Sequence, residues 1–185
     1  EGEVNGLMTY DRDVVKFDLD HMRALHAPLY EPQPVLIIKP VVPTSEETAQ
    51  TWRYTTQEPA GDWQSADFDD ASWETGPGGF GTEGTPGAVV RTRWNTSDIW
   101  LRRSFELDAP SVDHLQLRIH HDEDAEVYIN GVRALRTTGY LTDYLELPLN
   151  AAARRALRRG ENLLAVHCRQ ERDSHNLDVG LEAFY

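Results

Sequence analysis

From about residue 48 to the C terminus, short apolar runs alternate with polar stretches that contain glycine or proline. Runs of this length, rich in β-branched and aromatic residues, are typical of β-strands, and many of them in succession favour two packed sheets. One stretch, NAAARRALRRG at 150–160, predicts a short helix closed by Gly160. The sequence therefore predicts an all-β sandwich with one short helix. The strand-type runs are TWRYTT, IWLRRSFEL, LQLRIH, AEVYI, VRALRT, NLLAVHCR and LDVGLEAF.

The run HHDEDAEVYING, residues 120–131, carries the strongest turn signal of the chain. Asn130-Gly131 separates VYI from VRAL, and this dipeptide favours a type I′ turn because both central residues need a positive φ. Apolar and polar residues alternate over 115–119 and again over 125–129. We therefore predict two half-buried strands on either side of a polar corner at 120–124, followed by a hairpin.

The first 47 residues differ from the sandwich region. Residues 18–27 predict a short helix, with Asp18 as its cap and Pro28 as its stop. Residues 31–47 carry four prolines around an apolar run, which predicts an extended linker. The predicted organisation is thus a helical or extended N-terminal segment over 1–30, a linker over 31–47 and a sandwich over 48–185.

Charge and composition exclude several classes of partner. With 31 acidic residues against 18 lysines and arginines, the net charge is -13, which disfavours binding to nucleic acid. No run reaches the roughly 20 apolar residues of a membrane span, so we expect no membrane partner. Cys168 is the single cysteine and lies in an apolar run, which predicts a buried thiol. The chain starts at Glu1 without a secretory leader, so we expect a piece of a longer protein.

Two other motifs suggest chemistry, but their context favours structural roles. GPGGFG at 76–81 fits a dinucleotide-binding glycine pattern, but Pro86 and further glycines follow where that fold needs a helix. We predict a surface loop there. In DFDDASW at 67–73, the aspartates are expected to accept backbone hydrogen bonds in turns while Phe68 and Trp73 anchor the loop to the core.

The stretch RTRWNTSDIW at 91–100 combines the residue types of a carbohydrate site. The indole of Trp94 can stack on a sugar ring, and Arg91, Asn95 and Asp98 can form hydrogen bonds with its hydroxyl groups. The alternative is that Trp100 enters the core and Trp94 covers the edge of that core. The sequence favours neither alternative over the other.

The polar corner at 120–124 leaves three interpretations open. His120, Asp122 and Asp124 project to one side of an extended chain and could ligate a metal ion. Alternatively, His121 and Asp122 contact a ligand at the rim of the sandwich. In the third interpretation the corner is only structural.

A last group of polar residues ends the strand-type run NLLAVHCRQ. His167, Arg169 and Gln170 lie where strand tips can contribute to a pocket at one end of a sandwich. His167 can equally be a hydrogen-bonded histidine of the core.

Two parts of the chain resemble parts of glycoside hydrolase family 2, the family of β-galactosidases and β-glucuronidases. EVNGLMTYDR at 3–12 closely resembles the end of the catalytic (β/α)₈ barrel of that family. The main region is similar to the galactose-binding-like jelly-roll β-sandwich common in such enzymes. The motifs that carry this second resemblance, in order, are DFDDASW, SDIWLRRSFEL, AEVYINGV, GENLLAVHCRQ and DVGL.

The resemblance implies that residues 1–30 are the remnant of a catalytic barrel and that the sandwich is an ancillary domain. The two catalytic glutamates of the family lie upstream of the NGLMTYDR segment, so no catalytic residue is expected in this chain. Some related sandwiches hold a structural calcium ion, but we expect no cofactor here. The resemblance also implies a periplasmic or extracellular location and, as partners, carbohydrate and the missing barrel.

We therefore expect a non-catalytic carbohydrate-binding module of a glycosidase. One alternative is a purely architectural sandwich that packs on the barrel or on a partner subunit. Another is a self-contained hydrolase that uses the His/Asp cluster at 120–124. The residues expected to contact carbohydrate are Trp94, Asn95, Asp98, His121 and Asp122, followed by Arg91, His167 and Gln170.

Overall fold

The computed structural model describes residues 37–108, 114–171 and 174–184, together with Ala24. Contacts along the chain separate Glu1–Leu36 from a second unit, Ile37–Tyr185, and the fold below is that of the second unit. The predicted barrel remnant over 1–30, with its helix over 18–27, lies outside the described residues except for Ala24, which is helical.

Within the described residues, twelve strands form two sheets, and one helix, α1, spans Ala151–Ala156. The first sheet contains β1 (Ile38–Val42), β4 (Phe80–Gly81), β5 (Thr92–Arg93), β7 (Leu115–His121), β10 (Leu145–Pro148) and β12 (Asn176–Phe184). The second contains β2 (Thr51–Thr55), β3 (Glu74–Pro77), β6 (Asp98–Leu107), β8 (Asp124–Ile129), β9 (Val132–Thr137) and β11 (Gly160–Arg169). The first sheet runs in the order β10-β7-β12-β4-β5, with β1 also paired to β12, and the second in the order β3-β2-β6-β11-β8-β9.

The core is formed by alternate residues of these strands. In β8, Ala125, Val127 and Ile129 are buried, and Val127 pairs with the buried Val166 of β11. The alternation of apolar and polar residues in the sequence thus matches the alternation of more and less buried residues along the strand. The predicted all-β sandwich with one short helix is confirmed. Cys168 is fully buried, as predicted, and burial raises the pKa of its thiol.

Part of the predicted linker belongs to the sandwich. Ile38–Val42 forms β1, which pairs with β12 so that Pro40 lies opposite Glu182, and the register shifts between Pro40 and Val42. Among the described strands, β1 pairs with β12 alone, so it lies at an edge. A proline lacks the N–H that a central strand would need, but an edge strand with an irregular register accommodates it.

The glycine run at 76–81 is not a surface loop, so that prediction is wrong. β3 ends at Pro77, and β4 begins at Phe80, whose ring is fully buried 5.1 Å from the ring of Tyr54. A Cβ atom on Gly78 would collide with Ser45 Oγ. Glycine is required there because the backbone passes close to its neighbours, not because the segment needs flexibility.

The DFDDASW segment is a structural loop, as predicted, but Phe68 and Trp73 are only partly buried and do not belong to the core cluster. The backbone N–H of Ala71 donates to Asp69 Oδ1 at 2.9 Å, and the rings of Phe68 and Trp73 meet edge to face at 5.8 Å. The buried guanidinium of Arg102 donates to Asp70 Oδ2 at 2.7 Å and also to the backbone carbonyls of Trp63, Ser65 and Phe68. Arg102 therefore fixes this loop on the outer face of the second sheet.

The predicted hairpin lies between β8 and β9. Asn130 has φ 48° and Gly131 has φ 83°, so both central residues adopt the positive φ of a type I′ turn. Asn150 caps α1 by accepting a hydrogen bond from Ala153 N. The helix ends at Ala156, earlier than predicted, and Gly160 instead starts β11.

Candidate functional site

One end of the sandwich, where β7 and β11 end and β6, β8 and β12 begin, is here named the loop-bearing end. In the strand register, Arg169 at the end of β11 lies opposite Asp98 of β6 on one side and opposite Asp124 of β8 on the other. His121 at the end of β7 lies opposite Leu177, near the start of β12. The antiparallel register thus collects polar residues from distant parts of the sequence, and two clefts open among them.

The first opening, the Trp100 cleft, has a volume of about 740 Å³. His167 stacks on Trp100 with ring centroids 4.6 Å apart and planes inclined by 7°, and its Nε2 lies 2.8 Å from Asp98 Oδ1. Arg169 pairs with Glu171 at 3.2 Å on the rim. The other lining residues are Thr56, Glu58, Ser97 and Gln170.

Several polar groups of the Trp100 cleft are already paired with neighbouring residues. The imidazole of His167 covers one face of Trp100, which is itself buried, and its Nε2 already pairs with Asp98. The side-chain amide of the buried Gln170 donates to Ser174 O. These contacts tie β6 and β11 to the loop that follows β11, so the arrangement favours a structural role.

The second opening, the Tyr140 cleft, has a volume of about 310 Å³. Tyr140 is 71% exposed, so its ring presents an open face. Gly139, with φ 78°, turns the chain before it, and Leu141 N donates to His121 O at 3.0 Å after it. The other lining residues are Thr85, Pro86, Asp122, Glu123, Thr142, Ser174 and Asn176.

The polar residues of the Tyr140 cleft differ in how far their hydrogen bonds are satisfied. Asp122 is 8% exposed, its backbone N–H donates to Asn176 O at 2.9 Å, and its Oδ2 accepts from Ser174 Oγ at 2.6 Å. Asn176 is 2% exposed, and its amide nitrogen has no hydrogen-bond partner among the described residues. The cleft therefore combines an open aromatic face and a fixed carboxylate, whereas the unpaired amide nitrogen of Asn176 is enclosed.

Three buried histidines lie beside these clefts. One ring nitrogen of each of His120, His121 and His175 lies 3.0 to 3.1 Å from a backbone carbonyl oxygen. A carbonyl oxygen can only accept, so that nitrogen carries the proton in each ring. Burial lowers the pKa of His121, so its imidazole is neutral at pH 7.

Metal ligation at the polar corner gains no support from the geometry. Within 37–108, 114–171 and 174–184, no group of three or more His, Cys, Asp or Glu side chains is placed to hold a metal ion. His120 is bonded to Leu141 O, and Asp122 to Ser174. The structure does not bring His120, Asp122 and Asp124 together as ligands.

The role predicted for Trp94 is corrected by its position. Trp94 is 2% exposed, its Nε1 donates to Thr96 Oγ1 at 3.0 Å, and its ring meets that of His175 edge on at 4.8 Å. An indole enclosed in this way has no face for a sugar. Trp94 therefore belongs to the core, which is closer to the alternative that the sequence left open.

The other predicted contact residues divide between the clefts and their surroundings. Asp98, His167 and Gln170 line the Trp100 cleft, whereas Asp122 lines the Tyr140 cleft. The remaining three line neither cleft. Asn95 is exposed outside both, His121 is buried beneath the surface, and Arg91 donates to the backbone carbonyls of Ser45 and Glu46.

Sequence reasoning missed Tyr140 and Asn176. Tyr140 follows Gly139 directly after the strand-type run VRALRT, so a turn that displays an aromatic ring was the available signal. Asn176 had no such signal, because its place beside Asp122 depends on the pairing of β12 with β7.

Among the described residues, no helix is long and apolar enough to pass through a bilayer.

No protein-family model and no curated protein matches the chain, but solved structures do. A β-glucuronidase from glycoside hydrolase family 2 aligns over 82% of this chain and 18% of its own, with TM-score 0.54 and 18% identity. The β-glucuronidase of Bacteroides uniformis aligns over 80% and 18%, with TM-score 0.52 and 17% identity. A family 2 member from Bacteroides cellulosilyticus aligns over 73% and 20%, with TM-score 0.52 and 16% identity.

At these identities the likeness shows the fold alone. The sandwich is one that solved family 2 glycosidases contain, so the predicted resemblance is confirmed at the level of fold. The chain spans only about a fifth of the length of these enzymes, at 18 to 20%.

Proposed function

We propose that this chain is an ancillary, non-catalytic domain that binds carbohydrate for a glycosidase of the family 2 type. The observation that carries the proposal is the Tyr140 cleft, where an exposed aromatic ring stands beside a hydrogen-bonded carboxylate. Such a cleft, with one apolar surface and a few converging polar groups, is the usual form of a small-molecule site.

The chemistry of a pyranose ring matches this set of groups. One face of the ring presents C–H groups that can pack on Tyr140, while hydroxyl groups at its edge donate and accept hydrogen bonds. Asp122 can accept and Thr142 can donate or accept, whereas the Thr85 hydroxyl, which already donates to backbone carbonyls, can only accept. Binding should be weak, because one ring and a few exposed hydrogen bonds give modest net affinity.

The solved structures support the proposed setting in a longer enzyme. Family 2 glycosidases contain this fold as a small part of their chains. In the proposed parent protein, the catalytic glutamates lie in a barrel outside residues 37–185. The sandwich would then hold glycan near that barrel, in a periplasmic or extracellular protein.

A second candidate is the purely architectural domain, which one observation favours. Ile37 and Ile38 are about half exposed at the start of β1, on an edge of the first sheet. Exposed aliphatic side chains at a sheet edge suit packing against another domain. This role requires no bound sugar.

Titration of the full chain against plant and host polysaccharides and simple glycosides, with and without calcium, distinguishes these candidates. The proposal predicts binding that Tyr140→Ala weakens at least about tenfold, a typical loss for removing a stacked ring. Tyr140→Phe, which keeps the ring, should retain most of the affinity. Arg169→Ala, a control in the Trp100 cleft, should bind like the parent chain.

Two results would count against the proposal. A folded chain that binds none of the glycans would favour the architectural role. Binding that Tyr140→Ala leaves intact and Arg169→Ala removes would transfer the site to the Trp100 cleft.

A further inference from the structure

The ring of Tyr140 is held in the cleft through the backbone beside it. The side chain is 71% exposed and forms no hydrogen bond or ring contact among the described residues. Gly139 precedes it with φ 78°, and a Cβ atom on that glycine would meet nothing within 4 Å. The place of the aromatic face therefore depends on how the segment 139–144, here named the Tyr140 loop, is fixed after Tyr140.

Two neighbouring histidines of β7 hold this loop at Leu141. The backbone N–H of Leu141 donates to His121 O at 3.0 Å, and Leu141 O lies 3.1 Å from Nε2 of His120. Because a carbonyl oxygen only accepts, this nitrogen of His120 carries a proton and donates. The ring of Tyr144 also packs against the ring of His120 at 5.2 Å. The imidazole of His120, which is 1% exposed, thus contacts the loop at two points.

A second wall of the cleft meets the same imidazole. Thr85 and Pro86 line this wall, and Gly87 follows them with φ 73°. A Cβ atom on Gly87 would lie 3.3 Å from Cε1 of His120 and 2.6 Å from Thr142 O, so a larger residue there would have to displace the loop. The segment 85–87 and the Tyr140 loop therefore meet over His120, and the contact requires glycine.

We propose that His120 is the positioning residue of the Tyr140 cleft and that Gly87 allows the second wall to close on it. The Nε2–H of His120 fixes the carbonyl of Leu141, so the ring of Tyr140 stays where a sugar can pack on it. A loop held in place before a sugar arrives loses less conformational freedom on binding. The sugar ligand of this cleft rests on the proposed function, whereas the positioning can be measured in the free protein.

Amide substitutions of His120 test the role of its hydrogen bond. The side-chain nitrogen of glutamine reaches about as far as Nε2 of histidine, whereas that of asparagine ends near Nδ1. In the full chain, His120→Asn should speed hydrogen–deuterium exchange of 139–144 several-fold. It should also weaken binding of methyl β-D-galactopyranoside and methyl β-D-glucopyranoside about three- to tenfold. His120→Gln should restore most of both properties.

His175 supplies a matched control. Its Nε2 lies 3.1 Å from Thr96 O, so it makes the same bond at the same length, but its ring packs against Trp94. It is 8% exposed, so it is buried as well. His175→Asn should therefore destabilise the fold as His120→Asn does, while exchange of 139–144 and the affinity for both sugars stay as in the parent chain.

Two glycines test the second wall, and they decide the question even if His120→Asn does not fold. Gly87→Ala places a Cβ atom against Thr142 O, so it should cause the same faster exchange of 139–144 and the same weaker binding. Gly84 has a similar φ of 88°, but a Cβ atom on it would meet nothing within 4 Å. Gly84→Ala brings a comparable backbone strain and should leave both measurements unchanged.

Three results would overturn the positioning role. The first is unchanged exchange of 139–144 in both His120→Asn and Gly87→Ala. The second is an equal effect of His175→Asn or Gly84→Ala, which would indicate a general loosening of the loop-bearing end. The third is faster exchange with undiminished sugar affinity. If exchange changes as expected but the parent chain binds neither sugar, the positioning role stands and the proposed function fails.

Discussion

Two buried asparagines, one at each end of the sandwich, differ in how far their hydrogen bonds are satisfied. At the end that carries the hairpin and α1, here named the hairpin end, the amide of Asn162 accepts from Arg158 N and Asn130 Nδ2 and donates to two carbonyls. Asn130 in turn accepts from Leu163 N. At the loop-bearing end, the amide nitrogen of Asn176 has no partner among the described residues.

This difference indicates what each end contributes. A buried amide with all its partners holds chain segments together, whereas a buried donor without a partner costs stability. Asn162 and Asn176 are 1% and 2% exposed, so burial alone does not distinguish them. Natural proteins retain such costs mainly where a site requires them, which agrees with our placing the proposed site at the loop-bearing end.

The largest expected effect comes from the same substitution at each end. Leucine has nearly the shape of asparagine without its polar atoms. Asn162→Leu leaves several buried groups unpaired and should lower the free energy of unfolding by about 3 kcal/mol or more. Asn176→Leu removes a donor that lacks a partner and should change it by no more than about 1 kcal/mol. Urea denaturation of both variants and the parent chain measures the difference.

The pH dependence of stability tests the contribution of His121, a buried histidine at the loop-bearing end. Burial lowers the pKa of His121, so below the ordinary value of 6.5 the unfolded chain binds a proton that the folded chain does not. The free energy of unfolding should therefore fall as the pH falls below about 6.5, by up to about 1.4 kcal/mol per pH unit from this group. His121→Gln should lose that part of the slope between pH 7.5 and pH 5, as measured by urea denaturation. An unchanged slope would show that His121 is not the group responsible.

The smallest expected effect on stability is at Tyr140. Because its side chain is mostly exposed, Tyr140→Ala should alter the free energy of unfolding by no more than about 0.5 kcal/mol while it weakens glycan binding. Thermal or urea unfolding of the variant is the check. A large loss of stability would mean that the ring of Tyr140 stabilises the fold. That result would contradict the view that the loop-bearing end contributes binding and the hairpin end contributes stability.

Local sequence signals predicted much of the fold. The alternation over 125–129 and the Asn130-Gly131 turn depend on neighbouring residues alone, and both are present in the structure. β1 was hidden because the four prolines of residues 31–47 indicate a linker, although an edge strand tolerates Pro40. Its partner, β12, is more than 130 residues away in the sequence, so no local pattern reveals the pairing.

The site was less predictable than the fold. Trp94 and Tyr140 are both aromatic residues in loops, but one ring is enclosed beside His175 and the other is exposed. That difference depends on long-range packing and cannot be read from residue type. Asp122 was identified from composition, whereas its neighbour Asn176 becomes apparent only once β7 and β12 are paired.

Hydrogen–deuterium exchange with and without the tightest-binding glycan tests most directly whether the loop-bearing end is the functional end. The account predicts slower exchange at 120–124, 139–144 and 174–178, around the Tyr140 cleft, and unchanged exchange at 130–134 and 156–163. Slower exchange confined to the hairpin end, or to β1, would contradict it.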